Sequence, residues 1–339
     1  MVCAAWLISD CASVLVVTKF ARRSATRKTR IGRNTMQLCY ALRRGVYYPS
    51  QRDAFGEMPP KQYRAGYLAK VKKMGFDTLE VPASYDENAE KHAKELKAEL
   101  EGAGLAVGCV RAGGPVIDPI QGPKVVARLK QAVKYAAWAG ATVVNTTCVT
   151  PATEPGGVGS DRRGERVSQG ASRLASEYEF ERTAAKFREV GQMAADLGLN
   201  MSIEVHQGSI ADNSVATNHL LDLIDLPTFG ANPDLGNILW QFEQPEETSE
   251  AAIVALAPRA TYWHCKNLLR VHIEELHHTL FIRVPLPDGE IDYRFALSAM
   301  ADAKYKGYVA IEGVNIGDQL TGDAKSAAYV RGILAELGE

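Results

Sequence analysis

Short apolar runs alternate with longer amphipathic segments from residue 37 to the end of the chain. The short runs have the length of buried strands, whereas the longer segments repeat apolar residues at helical spacing. The predicted strands are residues 37–42, 76–81, 105–110, 141–147, 199–204, 228–234, 260–266 and 307–312. The predicted helices are residues 59–74, 86–102, 122–139, 171–197, 214–225, 246–256, 292–302 and 318–337.

Four of the predicted helices meet the next strand through a single glycine, at Gly75, Gly104, Gly140 and Gly198. A glycine just past a helix end is a common termination signal, and its repetition indicates one regular architecture. No Gly-x-Gly-x-x-Gly motif follows a strand, so an open dinucleotide-binding sheet is disfavoured. We therefore predict an α/β fold, a (β/α)8 TIM barrel, as a single domain over residues 37–339.

The first 36 residues differ from the rest of the chain in charge. They contain seven basic residues and one acidic residue, a net charge of +6, whereas the whole chain has a net charge of -1. Their apolar run precedes the basic cluster, the reverse of a secretory signal, and a transit-like peptide remains an alternative. We predict residues 1–36 to be a non-barrel N-terminal extension, either disordered or a start-site artefact ahead of a native start at Met36.

Composition narrows the function classes. Lys and Arg number 39 against 40 Asp and Glu, too balanced for a protein that holds a nucleic acid backbone. We expect no nucleic acid partner and no membrane contact of the folded body. Six cysteines without a C-x-x-C pair are typical of buried thiols in a reducing compartment, so a cytoplasmic location is predicted.

Polar residues follow the last four predicted strands at the ends where barrel enzymes build their sites. Alternation along each strand aims Glu204, Asp234, His264 and Glu312 into the barrel mouth. Three unpaired carboxylates cannot share one buried pocket without a cation. Three carboxylates and one imidazole suit an octahedral divalent ion with open positions. Manganese is the expected ion, one per chain, with magnesium, cobalt or zinc as alternatives.

Other polar residues at strand ends are candidates for the pocket lining. Glu80, Arg111 and Asn145 end the second, third and fourth predicted strands, and Lys266 shares the inward parity of His264. An ion pair or a cap at the rim is the alternative for each. Two long connections, residues 148–170 and 267–291, also leave the carboxyl ends of strands, and we predict substrate-loop or lid roles for them. A solvated or partner-binding insertion is the alternative for each.

The motifs of the second half resemble the xylose isomerase-like barrel superfamily, the sugar phosphate isomerase/epimerase group. They are Ile-Glu-Val-His at 203–206, Asn-Pro-Asp-Leu-Gly-Asn at 232–237, His-Cys-Lys-Asn at 264–267 and Gly-Tyr-Val-Ala-Ile-Glu-Gly at 307–313. The resemblance spans residues 37–337. It implies a metal set of Glu204, Asp234, His264 and Glu312, with Glu204 and Glu312 doubling as acid/base groups.

The resemblance also suggests residues that contact the substrate. Arg270, six residues after His264, matches an arginine that epimerases place over the metal site. His206 resembles a histidine on the substrate side and is predicted to donate a proton or contact substrate. Asn237 is also a candidate substrate contact. It stands where many members have histidine, which weakens any transfer of epimerase-type substrate contacts but leaves the metal set intact.

The resemblance implies a metal-dependent sugar isomerase or epimerase that removes a proton beside a carbonyl through an enediolate. A lyase or dehydratase using the same enolate for β-elimination is the alternative, of the inosose dehydratase or 3-keto C-glycoside deglycosidase type. A barrel that binds sugar or a partner without catalysis is the alternative of another class. The expected partners are a sugar or glycoside substrate and further copies of the chain, with a small companion subunit as a further option.

Overall fold

Eight parallel strands form a barrel in the computed structural model, which describes residues 35–41, 58–148, 172–241 and 244–339. These strands are β1 (Gln37–Ala41), β2 (Thr78–Pro82), β3 (Ala106–Arg111), β4 (Val143–Thr146), β5 (Asn200–Glu204), β6 (Phe229–Asn232), β7 (Trp263–Cys265) and β10 (Tyr308–Ile311). Two further strands, β8 (Asn267–Ile273) and β9 (His278–Val284), form a separate antiparallel hairpin. The predicted TIM barrel is therefore confirmed.

The strands run in the order β6, β5, β4, β3, β2, β1, β10, β7 around the sheet. The remaining gap between β6 and β7 is spanned by a parallel bridge between Ala231 and Ala260. There the Thr261 amide donates to the Ala231 carbonyl at 3.0 Å. The carboxyl ends of all eight strands consequently meet at one end of the barrel.

Helices connect the strands within the described parts of the chain, mostly where predicted. They are α1 (Lys61–Lys73), α2 (Ala89–Gly102), α3 (Gly122–Ala139), α4 (Glu177–Asp196), α5 (Ser214–Ile224), α6 (Leu235–Leu239), α7 (Ser249–Leu256), α8 (Tyr293–Asp302) and α9 (Gln319–Leu337). The five-residue α6 was not predicted. Gly140, which caps α3, has a φ of 75°, a conformation that a side chain disfavours. None of the described helices is long and apolar enough to cross a membrane.

The long connection predicted over residues 267–291 contains the β8–β9 hairpin. Its register pairs Val271 with Leu280 and His272 with Thr279. The hairpin differs from the predicted loop connection because the apolar side chains of its outer face are exposed, so no buried apolar run in the sequence marks its strands. The other long connection falls outside the described residues apart from Cys148, as does the predicted extension apart from residues 35 and 36.

The barrel interior has an apolar layer beneath its carboxyl end. One buried cluster unites residues that point inward from β1, β3, β4, β10 and the residue before β7, namely Cys39, Ala41, Cys109, Val143, Tyr262, Tyr308 and Ala310. Two residues beyond Cys109, Val143, Tyr262 and Ala310, the inward positions are polar or charged, namely Arg111, Asn145, His264 and Glu312. The apolar layer therefore forms the floor of the candidate site.

Candidate metal centre

Four predicted ligands meet at the carboxyl end of the barrel. Glu204 ends β5, His264 lies in β7 and Glu312 directly follows β10. Asp234 lies two residues after β6 and caps α6, accepting from the Asn237 amide at 3.2 Å. One ligand atom from each of the four residues lies within 4.8 Å of the others, and all four residues are buried. The strand-end alternation thus brings together the set that the sequence predicts.

His264 lies among the carboxylates. Its Nδ1 atom is 3.3 Å from a carboxylate oxygen of Glu204, 3.3 Å from one of Glu312 and 3.9 Å from one of Asp234. Among the residues that the structure describes, this buried nitrogen has no hydrogen-bond partner of acceptable geometry. A buried polar atom without such a partner costs free energy, so the arrangement favours a ligand between the nitrogen and the oxygens.

The pKa values of two of the predicted ligands, His264 and Asp234, are raised above their usual range. Burial alone would lower the pKa of His264, but the Glu80, Glu204 and Glu312 carboxylates outweigh it and raise that pKa to about 10. Burial raises the pKa of Asp234 to about 6, against the opposing effect of Lys266. In the protein without metal, an imidazolium therefore compensates part of the carboxylate charge.

The donor set fits a divalent ion. Metal–oxygen distances of about 2.0 to 2.6 Å allow two ligands of one ion to lie at most about 4.0 to 5.2 Å apart. The ligand atoms of these four residues all lie within 4.8 Å of one another. Three oxygens and one nitrogen suit ions such as Mn²⁺, Mg²⁺ or Zn²⁺. A bound ion would also satisfy Nδ1 of His264. The four residues can therefore hold one divalent metal.

Two basic side chains converge on the same oxygen of Glu312. Nζ of the buried Lys266 lies 3.0 Å from Oε2 of Glu312 and 2.8 Å from Oδ2 of Asp234. Arg283 of β9 places Nη1 3.7 Å from the same Glu312 oxygen. Glu312 thus keeps its Oε1 atom toward His264. The sequence prediction does not include Arg283, because it treats residues 267–291 as a loop connection. The alternation of side chains along β9 is the signal that could have identified this residue.

The hairpin also forms one wall of the site. Phe281 of β9 stacks on Trp240, with 5.1 Å between the ring centroids. Nζ of Lys266 lies 5.9 Å from the Trp240 ring centroid, within the range of a cation–π contact. An aromatic surface therefore adjoins the ammonium group that contacts Asp234 and Glu312.

Amide side chains orient Glu204. Asn237 Nδ2 donates to Oε1 of Glu204 at 3.1 Å and to the Val205 carbonyl at 2.9 Å. Asn145 Nδ2 donates to Oε2 of Glu204 at 3.1 Å, and Oδ1 of Asn145 accepts from the Ser202 hydroxyl and from Nδ2 of Asn232. Asn145 and Asn237 are buried, and both hold the carboxylate of Glu204, one of the four predicted metal ligands. Their contact with substrate stays a prediction.

Glu80 and Arg111 form a pair beside His264. Oε2 of Glu80 lies 2.7 Å from Nε2 of His264, and its Oε1 atom lies 3.3 Å from Nε of Arg111. Glu80 is buried, whereas the Arg111 side chain is partly exposed. Contact of either residue with substrate, as predicted from the sequence, stays a prediction.

Two further predicted substrate residues lie near the strand ends. His206 is half-buried, and its Nδ1 atom lies 2.8 Å from the Gln207 carbonyl oxygen. Arg270 of β8 forms a two-pronged pair with Glu290, at 2.9 and 2.7 Å from the same carboxylate oxygen. It lines a cleft of about 760 Å³ with Leu239, Gln241 and His272. Their substrate roles stay predictions.

Known proteins resemble this chain in sequence and fold. An inosose dehydratase from Klebsiella pneumoniae strain 342 is 25% identical over 147 residues, which cover 40% of this chain. The chain matches 48% of that relative, about half of its length.

Two solved structures share the fold. A xylose isomerase-like TIM barrel protein from Mycobacterium smegmatis in complex with magnesium has a TM-score of 0.70 and 21% identity, covering 89% of this chain and 97% of its own. An L-ribulose 3-epimerase has a TM-score of 0.64 and 15% identity, covering 90% and 98%. The family model described as xylose isomerase-like TIM barrel matches residues 68–332. The chain therefore belongs to the xylose isomerase-like TIM barrel family.

Proposed function

We propose that this chain is a metal-dependent isomerase or epimerase that removes a proton beside the carbonyl group of a sugar. One observation carries the proposal. Carboxylate oxygens of Glu204 and Glu312 each lie 3.3 Å from the same nitrogen of His264, although the two residues come from different sides of the barrel. We infer that a sugar bound at the barrel mouth would have the Glu204 carboxylate toward one of its faces and the Glu312 carboxylate toward the other.

The two glutamates divide the proton transfer. One carboxylate takes the proton from the carbon beside the carbonyl group. When the other returns a proton to the opposite face of that carbon, the stereocentre is inverted. When the proton returns to the neighbouring carbon, and the hydroxyl proton moves to the former carbonyl oxygen, the sugar is isomerised. A divalent ion held by Glu204, Asp234, His264 and Glu312, with Mn²⁺ as the expected species, would supply Lewis-acid polarisation.

Supporting groups prepare the carboxylates for this role. Asn145 and Asn237 fix Glu204 through neutral amide donors, whereas Lys266 and Arg283 surround one oxygen of Glu312 with positive charge. The two glutamates thus have different electrostatic surroundings, as an acid and base pair requires. A solved structure of the same fold is named as an L-ribulose 3-epimerase, which supports the proposal.

β-Elimination is the second candidate, favoured by the sequence match to an inosose dehydratase. In this reaction a carboxylate takes the proton beside the carbonyl group, and the electrons form a carbon–carbon double bond. The hydroxyl group on the next carbon leaves with a proton as water. The Lys266 ammonium, 3.0 Å from Glu312, is a cation beside the base that can stabilise the departing oxygen.

Proton exchange in heavy water tests both reactions. The Mn²⁺-loaded protein is incubated with ketoses, inososes and 3-keto glycosides, and NMR follows deuterium incorporation beside the carbonyl group. We expect exchange with at least one class, and a loss of about 10²- to 10⁴-fold in Glu204→Gln and Glu312→Gln. Epimerisation and isomerisation retain the substrate's formula, whereas elimination releases water and yields an unsaturated product.

Glu90→Gln is the matched control, because Glu90 is an exposed carboxylate paired with Lys94 on α2. It should exchange at the wild-type rate. A metal-loaded wild type that exchanges no proton in any of the three classes would contradict the proposal and favour a barrel that binds without catalysis.

A further inference from the structure

We propose that Glu80, held by Arg111, sets the tautomer and the ring orientation of His264, and thereby the strength of metal binding. This inference rests on the metal centre of the proposed function. It assigns Glu80 and Arg111 as positioning residues that act through His264.

The contact between Glu80 and His264 determines which nitrogen carries the proton. Nε2 of His264 lies 2.7 Å from Oε2 of Glu80, and both side chains are almost fully buried. An ionised carboxylate only accepts hydrogen bonds, so Nε2 is the protonated nitrogen of a neutral His264 ring. Nδ1 then keeps its lone pair, and this is the atom near the oxygens of Glu204, Asp234 and Glu312.

A bulge between β2 and β3 places the pair in the barrel. Leu79 pairs with Val107, but Glu80 pairs with Cys109, so Gly108 is an extra residue on β3. A one-residue insertion exchanges the two faces of a strand from that point onward. Arg111 consequently shares the inward face with Glu80, which it would not do in an unbroken register.

Gly108 is the residue that permits this bulge. A Cβ atom at this position would lie 2.8 Å from Oγ1 of Thr78 and 3.1 Å from the Tyr308 ring, closer than van der Waals contact allows. Glycine, which has no Cβ atom, therefore allows the bulge at this position. Bulges beside active sites commonly re-aim a side chain.

Arg111 completes the arrangement. Its Nε atom lies 3.3 Å from Oε1 of Glu80, whereas the other oxygen, Oε2, lies 2.7 Å from Nε2 of His264. With one oxygen facing the guanidinium and the other facing the imidazole, the carboxylate is constrained against rotation. The imidazole plane is fixed in turn, since a metal ligand needs its lone pair aimed at the ion.

The first test reads the tautomer of His264 in the metal-loaded wild-type protein. The Zn²⁺-loaded protein, labelled with ¹⁵N on its histidines, is studied by long-range ¹H–¹⁵N NMR, with His264 assigned by comparison with His264→Asn. We expect a neutral ring that is protonated on Nε2 and bound through Nδ1. A ring protonated on Nδ1, or on both nitrogens, would overturn the proposal.

Variants at Glu80 measure the contribution to binding. The Kd for Mn²⁺ is obtained by electron paramagnetic resonance of the free ion. Glu80→Ala should weaken binding about 10- to 100-fold, and Glu80→Gln should recover most of the loss, because its amide oxygen still accepts from Nε2. Arg111→Gln should produce a smaller loss, about threefold, because a single contact outside the metal ligands changes. The exposed Glu90→Ala is the control.

The outcomes separate this inference from the proposed reaction. The positioning role would be overturned if Glu80→Ala bound Mn²⁺ with the Kd of the wild type. Equal losses of Mn²⁺ affinity in Glu80→Ala and Glu80→Gln would overturn it as well. The expected tautomer and Kd values in a protein that exchanges no substrate proton would support the positioning role and contradict only the proposed reaction.

Discussion

The barrel interior contains two adjacent layers with opposite chemistry on the same strands. Tyr262, Cys109 and Val143 belong to the apolar layer. Two residues further along these strands, His264, Arg111 and Asn145 belong to the polar layer. The backbone geometry is the same, so the side chains alone decide that one layer packs the barrel and the other assembles a charged site. Burying those charges costs free energy that the ion pairs and a metal must offset.

The largest expected effect tests the apolar layer. Tyr262 is fully buried and contacts the Cys39 thiol and the Tyr308 ring. Tyr262→Ala should lower the free energy of unfolding by about 3–5 kcal/mol, because it leaves a cavity in close-packed surroundings. Urea unfolding measures this loss. The folded fraction should still bind one Mn²⁺, and a loss of metal without a loss of stability would contradict the division between the layers.

The second prediction concerns the buried ammonium of the polar layer. Lys266→Met leaves Asp234 and Glu312 without their closest cation, so the protein without metal should lose about 3 kcal/mol of stability. The same change removes a charge that repels the metal, so the Kd for Mn²⁺ should fall about tenfold. Unfolding curves with and without Mn²⁺ measure both effects.

Lys325→Met is the control for this prediction, since Lys325 forms an exposed pair with Asp288. It should change stability by less than about 1 kcal/mol. If Lys266→Met bound Mn²⁺ more weakly than the wild type, Lys266 would support the metal instead of competing with it.

The third prediction is a pH dependence. The carboxylates raise the pKa of His264 to about 10 in the protein without metal. Because the pKa is raised, this stabilisation is present below about pH 6.5 and is lost as the pH rises through about 10. A metal must displace the His264 proton, so Mn²⁺ affinity should rise about tenfold per pH unit between pH 7 and pH 9. Titration calorimetry in two buffers counts the protons released when Mn²⁺ binds. Binding without proton release would contradict this prediction.

The smallest expected effect involves the amide that orients Glu204. Asn237→Ala removes two hydrogen bonds, at 3.1 and 2.9 Å, and should weaken Mn²⁺ binding by about 1 kcal/mol, or about fivefold. Asn218→Ala, which removes a bond to the Ala255 carbonyl on the surface, is the control. A loss as large as that of a ligand substitution would mean that Asn237 itself contacts the ion.

The sequence predicted the barrel and the members of the candidate centre because both depend on short-range periodicity. Alternation along a strand places Glu204 and Glu312 at the same end as His264 without any knowledge of distances. The contact between Glu80 and His264 could not be read in this way. The two residues are 184 positions apart, and the bulge at Gly108 that brings Arg111 beside Glu80 has no clear periodic signal.

The β8–β9 hairpin was not predicted from the sequence, for a different physical reason. Its outer face exposes apolar residues such as Leu269 and Val271, so its alternation does not mark a buried side. Arg283, which reaches Glu312 from β9, was overlooked with it. Long-range pairing and exposed apolar surface thus limit what the sequence pattern can reveal here.

The metal content of the purified protein tests the central claim most directly. Mass spectrometry compares the wild type with Glu204→Gln and Asp234→Asn after incubation with Mn²⁺ and removal of the free ion. The account predicts about one divalent ion per folded chain in the wild type and a loss of bound ion in both variants. A wild type that retains no ion, or variants that retain it fully, would contradict a metal centre at Glu204, Asp234, His264 and Glu312.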